Sequence, residues 1–271
     1  WNYLRFAEKQ TVRRKKIVVG GGNVAMDVTR TAKRLGAKTV KCVYRRRQVD
    51  MTAQVEEVEG AIAEGCDIVP IMAPVRVEKD ENNQAIALVV QPQIPGEYDR
   101  GRPKPVNANR PEEKIPCDMI IAAIGQEIDS LPFSEEGVPT KWNNILSDKF
   151  CMIDGMDGVF AGGDCRSGPS TAIRAIEAGK TAAGNIDEYL GFHSVLPAPP
   201  EIPRASHQSR GAMGRINIVE RTPSDRIKDF DIMEIGMTEE EAKHECSRCL
   251  RCDHYGYGGF RGAREERWTQ W

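Results

Sequence analysis

Two short runs concentrate the chemistry of this sequence: Gly20-Gly21-Gly22-Asn23-Val24-Ala25, and downstream Arg45-Arg46-Arg47. The first fits the spacing Gly-x-Gly-x-x-Gly/Ala. The first glycine allows a tight turn and the second lets backbone approach a diphosphate. A small third residue lets helix and strand pack closely. A diphosphate would rest on Gly20, Gly21, Gly22, Asn23 and Val24, on the unpaired N–H groups of a helix N-terminus. The arginines stand where an NAD site carries an acid for the ribose hydroxyls. Their guanidinium forks suit a 2′-phosphate instead, so the pattern favours NADP(H). The alternative is a solvated arginine loop.

These residues need a strand–turn–helix–strand to hold them. Lys16–Val19 is a short apolar run suited to a buried parallel strand. Val24, Val28, Ala32 and Leu35 follow at helical spacing, Gly36 ends that helix, and Thr39–Tyr44 reads as the second strand. Ala53–Glu64 reads as a second helix, with Val55, Val58 and Ile62 inward and Glu56, Glu57, Glu59 and Glu64 solvated. Val75–Lys79 and Ala85–Gln91 read as paired strands. Gln93–Pro116, rich in proline and charge, reads as a surface excursion. Asp118–Ala123 is a further buried strand, and Gly158–Ala161 another short one. Ser170–Leu190 reads as a long helix with Ile173, Ile176, Ala183, Ile186 and Leu190 inward. Thr238 and Glu241 have capping-box form.

Gly162-Gly163-Asp164 follows a strand and precedes the long helix. Asp164 could accept hydrogen bonds from ribityl or ribose hydroxyls. The helix start near Thr171 would stabilise negative charge on a reduced flavin. A capped helix after a turn, with Asp164 satisfying local N–H groups, explains the pattern equally well.

Val18–Asp27, Tyr44-Arg45-Arg46, Met51-Thr52-Ala53, Ile121–Gln126 and Val159–Ala183 occur in the order seen in the small subunit of glutamate synthase. Over roughly residues 15–192 the chain resembles that NADPH-dependent FAD and iron–sulfur oxidoreductase family. Its relatives include subunits of bifurcating transhydrogenases and of hydrogenase or formate dehydrogenase complexes. The resemblance implies a pyridine nucleotide-disulfide oxidoreductase-type α/β fold. A Rossmann-type NADP-binding domain would be inserted in an FAD-binding domain. It places NADPH on Gly20, Gly22, Asn23, Val24, Arg45 and Arg46, and FAD on Gly125, Gly163, Asp164, Thr171 and Ala172. The family's FAD fingerprint, which precedes the NADP motif, has no counterpart before residue 15. The expectation is that a longer chain or a partner supplies that half of the FAD domain; the alternative is that FAD is not bound.

Cys246-x-x-Cys249-x-x-Cys252 opens an iron–sulfur spacing, but Gly256 stands where a fourth cysteine would follow. Arg248–Asp253 resembles the family's iron–sulfur segment. A 4Fe–4S cluster with a fourth ligand from elsewhere, a zinc site completed by His254 or a partner, and three buried thiols all remain open.

The 271 residues carry 38 Lys+Arg against 40 Asp+Glu, a net charge of -2 that makes no case for nucleic acid. Mean hydropathy is -0.48 and no apolar run is long enough for a membrane span. The absence of a signal peptide and a reducing nucleotide chemistry imply the cytoplasm. The expected organisation is a linker over 1–14, an NAD(P) domain over 15–117 and the C-terminal half of an FAD domain over 118–192. An irregular linker over 193–237 and a cysteine tail over 238–271 follow. The expected function is an enzyme subunit passing hydride between NADP(H) and FAD, then electrons to Fe–S centres of partner redox subunits. The rival is a non-catalytic nucleotide-binding subunit that docks a partner through zinc-bound cysteines. A disulfide reductase of related fold fits less well, because Cys165 has no close cysteine partner in sequence.

Overall fold

Val18 and its neighbours on one face, and Ile17 and Val19 on the other, set the plan of the nucleotide domain. The computed structural model describes residues 15–99, 101–194 and 214–248. Of these, residues 15–124 and 214–248 belong to one unit and residues 125–194 to a second. In the first unit β1 (Lys15–Val19), α1 (Asn23–Arg34), β2 (Thr39–Val43), α2 (Val55–Ala63) and β3 (Asp67–Val69) alternate. Strands β4 (Met72–Lys79), β5 (Ala85–Asp99), β6 (Arg102–Asn107) and β7 (Glu113–Pro116) follow, and then β8 (Met119–Ala122). The parallel sheet runs β3-β2-β1-β8, with β1 hydrogen-bonded to both β2 and β8.

Side chains alternate across this sheet with period two. Val18, Val40 and Cys42 face the helices and pack with Ala25, Met26, Ala32, Val58 and Ala61. Ile17, Val19 and Val43 face the other way and pack with Leu88, Val90 and Cys117. An antiparallel sheet in the order β4-β5-β6, with β7 also on β5, therefore contributes to the second core.

Several expectations change here. Gln93–Pro116 is not an excursion. It holds the end of β5 together with β6 and β7. Proline lacks the donor expected of a strand, and five prolines in these strands (Pro92, Pro95, Pro103, Pro105, Pro116) hide the pattern. Met119–Ala122, expected to open the flavin half at residue 118, is hydrogen-bonded into the nucleotide sheet. Val24 is 66% exposed, and α1 buries Ala25, Met26, Thr29 and Ala32 instead.

The second unit has a small core of Val138, Ile145, Ile153 and Ala161. Around it lie α3 (Leu131–Glu135), the hairpin β9 (Thr140–Lys141) with β10 (Asn144–Ile145), α4 (Asp164–Ser167) and α5 (Ala172–Tyr189). The strand expected over Gly158–Ala161 is a single bridge between Met152 and Phe160. Helix α5 matches the expected span, but Ile173 and Ile176 are 73% and 54% exposed rather than inward. Only its C-terminal end is held by aromatic packing within the unit, through the edge-on pair Phe160–Tyr189 at 6.1 Å.

Residues 214–248 contribute β11 (Val219–Glu220), α6 (Pro223–Arg226), β12 (Glu234–Ile235) and α7 (Glu239–Ser247). Part of the expected irregular linker is therefore structured. The expected capping box opens α7: Glu241 N–H donates to Thr238 Oγ1 at 3.2 Å, and Thr238 N–H to Glu241 Oε2 at 2.8 Å.

Glu64, expected in solvent, is 2% exposed and joins this segment to the nucleotide domain. Its Oε1 lies 2.7 Å from Arg30 Nη2, 3.0 Å from Arg34 Nη2 and 2.9 Å from Arg226 Nε. Glu57 and Glu220 take the outer nitrogens of Arg30 and Arg226, each at 2.5 Å. The helical period put Glu64 on the solvent side, but the returning segment covers it.

Burial alone would raise the Glu64 pKa, but hydrogen bonds from Arg30 and Arg34 outweigh it and hold the carboxyl below its ordinary range. A depressed carboxylate stabilises the fold above its unfolded pKa, and that stability is lost as pH falls through the folded value. Glu64→Ala leaves three arginines without their shared partner and is expected to cost about 3–5 kcal/mol in denaturant unfolding at neutral pH. Its deficit against the native chain should shrink in acid. A deficit that is small and independent of pH would refute this role.

Candidate functional site

Gly20 sits where β1 ends, and its N–H donates to Val43 O at 3.1 Å. A Cβ there would lie 2.3 Å from Ala123 O and 2.9 Å from Ala25 Cβ, so only glycine fits between β8 and α1. At Gly21 a Cβ would lie 2.4 Å from the Tyr44 ring. The Gly21 carbonyl accepts from Thr52 N at 2.9 Å and Ala53 N at 3.0 Å, while Tyr44 Oη donates to Asp50 O at 3.0 Å. The loop after β2 thus clamps the glycine turn from one side. This gives Thr52 and Ala53 a structural task, and Met51 packs against the helix-side core.

Gly22 is the N-cap of α1 and offers no side-chain cap. Its carbonyl accepts from Ala25 N at 3.0 Å and Met26 N at 3.2 Å. The N–H groups of Gly22, Asn23 and Val24 meet no acceptor among the described residues. Asn23 could have capped the turn, but its Oδ1 accepts from Gln54 N at 2.9 Å. The result is an exposed helix N-terminus with unpaired donors, chemically suited to a diphosphate.

The arginines divide their work. Arg47 makes a two-pronged contact with Asp50, Nε at 2.8 Å and Nη2 at 2.9 Å, and also donates to Tyr98 Oη at 3.2 Å. The bonds from Arg47 hold the Asp50 carboxyl below its ordinary range. Arg46 donates Nε to Pro103 O at 2.9 Å, leaving its terminal nitrogens unengaged. Arg45 is exposed and has no partner among the described residues. Arg45 and Arg46 therefore keep donors for an anion, and Arg47 is committed to the loop.

Cys42 lies beneath the turn, its Sγ donating to Gly20 O at 3.3 Å. Burial pushes the thiol up to about 11, so it is protonated at neutral pH and acts as core.

In the second unit Gly125 has φ +99° and Gly163 φ +74°. Gly163 caps α4, whose first residue is the exposed Asp164. Among the described residues the Asp164 carboxylate has no hydrogen-bond partner, so it is not consumed by local N–H groups. Thr171 is the N-cap of α5 without a side-chain cap bond, and Ala172 begins the helix. Cys246 is exposed near the end of α7, whereas Cys249 and Cys252 lie outside the described residues. Among the described residues no three His, Cys, Asp or Glu side chains gather as metal ligands. No described helix is long and apolar enough to cross a membrane.

Residues 2–179 match the model of the pyridine nucleotide-disulphide oxidoreductase family. The chain is 34% identical to an NADP(+)-dependent formate dehydrogenase subunit beta of Moorella thermoacetica, over 86% of this chain and 35% of that protein. It is 31% identical to an NADPH-Fe(3+) oxidoreductase subunit beta of Geobacter sulfurreducens, over 88% of this chain and 41% of that one. It is 36% identical to a glutamate synthase [NADPH] small chain of Azospirillum brasilense, over 67% of this chain and 38% of that one. The chain thus spans less than half the length of these relatives. In fold it is similar to thioredoxin reductase from Lactococcus lactis, with a TM-score of 0.54 at 18% identity over 66% of this chain and 54% of that one. It is also similar to FprA of Mycobacterium tuberculosis in complex with NADPH, with a TM-score of 0.54 at 14% identity over 72% and 58%.

The packing at Gly21 can be tested by a double-mutant cycle. Gly21→Ala should destabilise the native chain by about 1–3 kcal/mol, because the added methyl meets the Tyr44 ring. In a Tyr44→Ala background that cost should shrink clearly. Strictly additive losses in denaturant unfolding would show that the ring does not enforce glycine here.

Proposed function

This chain belongs to the pyridine nucleotide-disulphide oxidoreductase family, and we propose that it is the NADP(H)-binding part of an electron-transferring flavoprotein subunit. The observation that carries this is the pairing of an uncapped α1 N-terminus with two arginines that keep free donors at the end of β2. The N–H groups of Gly22, Asn23 and Val24 would hold the diphosphate. Gly20 and Gly21 let the turn come close, and Arg45 and Arg46 would hold the 2′-phosphate. No acid stands at the end of β2 to prefer free ribose hydroxyls.

Gly125, Gly163, Asp164, Thr171 and Ala172 would face FAD. The unpartnered Asp164 carboxylate and the uncapped start of α5 are chemically suited to ribityl hydroxyls and to a negative flavin edge. The exposure of Ile173 and Ile176 on α5 fits a helix that further FAD-domain sequence covers, from a longer chain or from a partner subunit. NADPH supplies a hydride, and FAD can accept two electrons and release them singly. The chain's own residues bind and orient, so no acid–base residue is required of it.

Cys246, Cys249 and Cys252 would ligate an iron–sulfur cluster that takes electrons toward partner redox subunits. The relatives' printed names, an NADP-dependent formate dehydrogenase subunit and an NADPH–iron(III) oxidoreductase subunit, support this class of activity. A zinc site at the same cysteines is the competing outcome.

Two measurements test the proposal. Arg45→Ala with Arg46→Ala should weaken NADPH about a hundredfold, each lost charged bond counting for about tenfold, and leave NADH within about threefold. Equal losses for both nucleotides would refute the 2′-phosphate assignment. Cys249→Ser should remove bound iron and the broad absorbance near 400 nm expected of a cluster. Zinc in place of iron in the native chain would instead favour the docking role.

A further inference from the structure

The arginine loop and the β5–β6 hairpin enclose a small basic cavity that the nucleotide fold does not by itself require. Its lining includes Arg45, Arg46, Ile71, Pro103 and Lys104. The two walls are fixed together rather than merely adjacent. Met72 N–H donates to Tyr44 O at 3.0 Å, Ile71 N–H to Arg46 O at 2.9 Å and Gln93 N–H to Ile71 O at 2.8 Å. Arg46 Nε reaches Pro103 O at 2.9 Å, and Arg47 reaches Tyr98 Oη at 3.2 Å.

Ile71, at the junction, has φ +54°. A β-branched residue in that region is strained, and such strain persists only where surrounding contacts impose it. Here the hydrogen bonds on both sides of Ile71 supply that constraint.

The charges around the cavity do not cancel. Asp50 also lines it, but Arg47 engages both of its oxygens. Asp99 stands 3.9 Å from Lys104 Nζ, a loose and exposed contact. Arg45, Arg46 and Lys104 therefore line one space, with Asp99 partly offsetting Lys104 and Asp50 partly offsetting Arg46.

We infer that the β5–β6 hairpin is the second wall of the 2′-phosphate subsite and that Lys104 is a specificity-determining cation for that phosphate, supplied from outside the nucleotide fold. This rests on the NADP(H) reading above and extends it. The rigid tie through Ile71 and Pro103 lets Arg46 present its terminal nitrogens without first being ordered by ligand. Lys104 adds a point charge from the opposite side, which a 2′-phosphate would meet and a 2′-hydroxyl would not.

Calorimetric titration of the full chain with 2′,5′-ADP and with 5′-AMP separates the possibilities, because these probes differ only in the 2′-phosphate. Lys104→Ala should weaken 2′,5′-ADP by about five- to tenfold and leave 5′-AMP within twofold. Asp99→Asn, which removes the offsetting charge, should tighten 2′,5′-ADP by about twofold. Both side chains are exposed, and a circular dichroism spectrum checks that each variant folds. If both variants leave 2′,5′-ADP unchanged while Arg45→Ala with Arg46→Ala weakens it, the hairpin is no part of the subsite and the NADP(H) reading stands. If the arginine pair is also without effect, both fall. Equal weakening of both probes by Lys104→Ala would overturn the specificity role.

Discussion

Close approach of backbone at Gly20 is the constraint on which the rest depends. A side chain there would collide with the Ala123 carbonyl just past β8 and with Ala25 on α1. That absence lets β1 run directly into α1 while β8 stays hydrogen-bonded alongside. It also aims the helix N-terminus out of the sheet with its first N–H groups unpaired. The favourable end of the helix dipole is thereby left without a side-chain cap.

Charge is distributed to match. Beside the turn, Arg47 holds the buried Asp50 carboxylate, while Arg45 and the terminal nitrogens of Arg46 keep unengaged donors among the described residues. On the far side of α1, Glu64 gathers Arg30, Arg34 and Arg226 in the interior. A buried charge with one partner removed is costly, and this cluster fixes how its elements meet although Glu64 Oε2, Arg34 Nε and Arg226 Nε make no hydrogen bond among the described residues. The first arrangement leaves Arg45 and Arg46 with unengaged positive charge. The second spends it on joining residues 214–248 to the nucleotide domain.

Much of the local structure around the candidate site was legible because its signals are local. The Gly20–Ala25 spacing, the apolar run of β1 and the capping box at Thr238 are each set by a few neighbouring residues. What stayed hidden depends on distant partners. Glu64 lies on the side of α2 that period alone assigns to solvent, and only the returning segment buries it. The prolines of β5 and β6 masked a hairpin whose pairing comes from across the sheet. Three adjacent arginines looked equivalent, yet Asp50, Tyr98 and Pro103 separate Arg47 and Arg46 from Arg45. Ile173 and Ile176, expected inward from the helical period, are exposed, because no described element of that unit covers them.

The central claim is that the α1 N-terminus and the arginine loop together hold the adenosine end of NADP(H). A crystal structure of the chain with NADP+ tests it most directly. The account predicts diphosphate oxygens within hydrogen-bond distance of the Gly22, Asn23 and Val24 N–H groups, and the 2′-phosphate against Arg45 and Arg46. A nucleotide bound elsewhere, or one whose 2′-phosphate points to solvent away from those arginines, would contradict it.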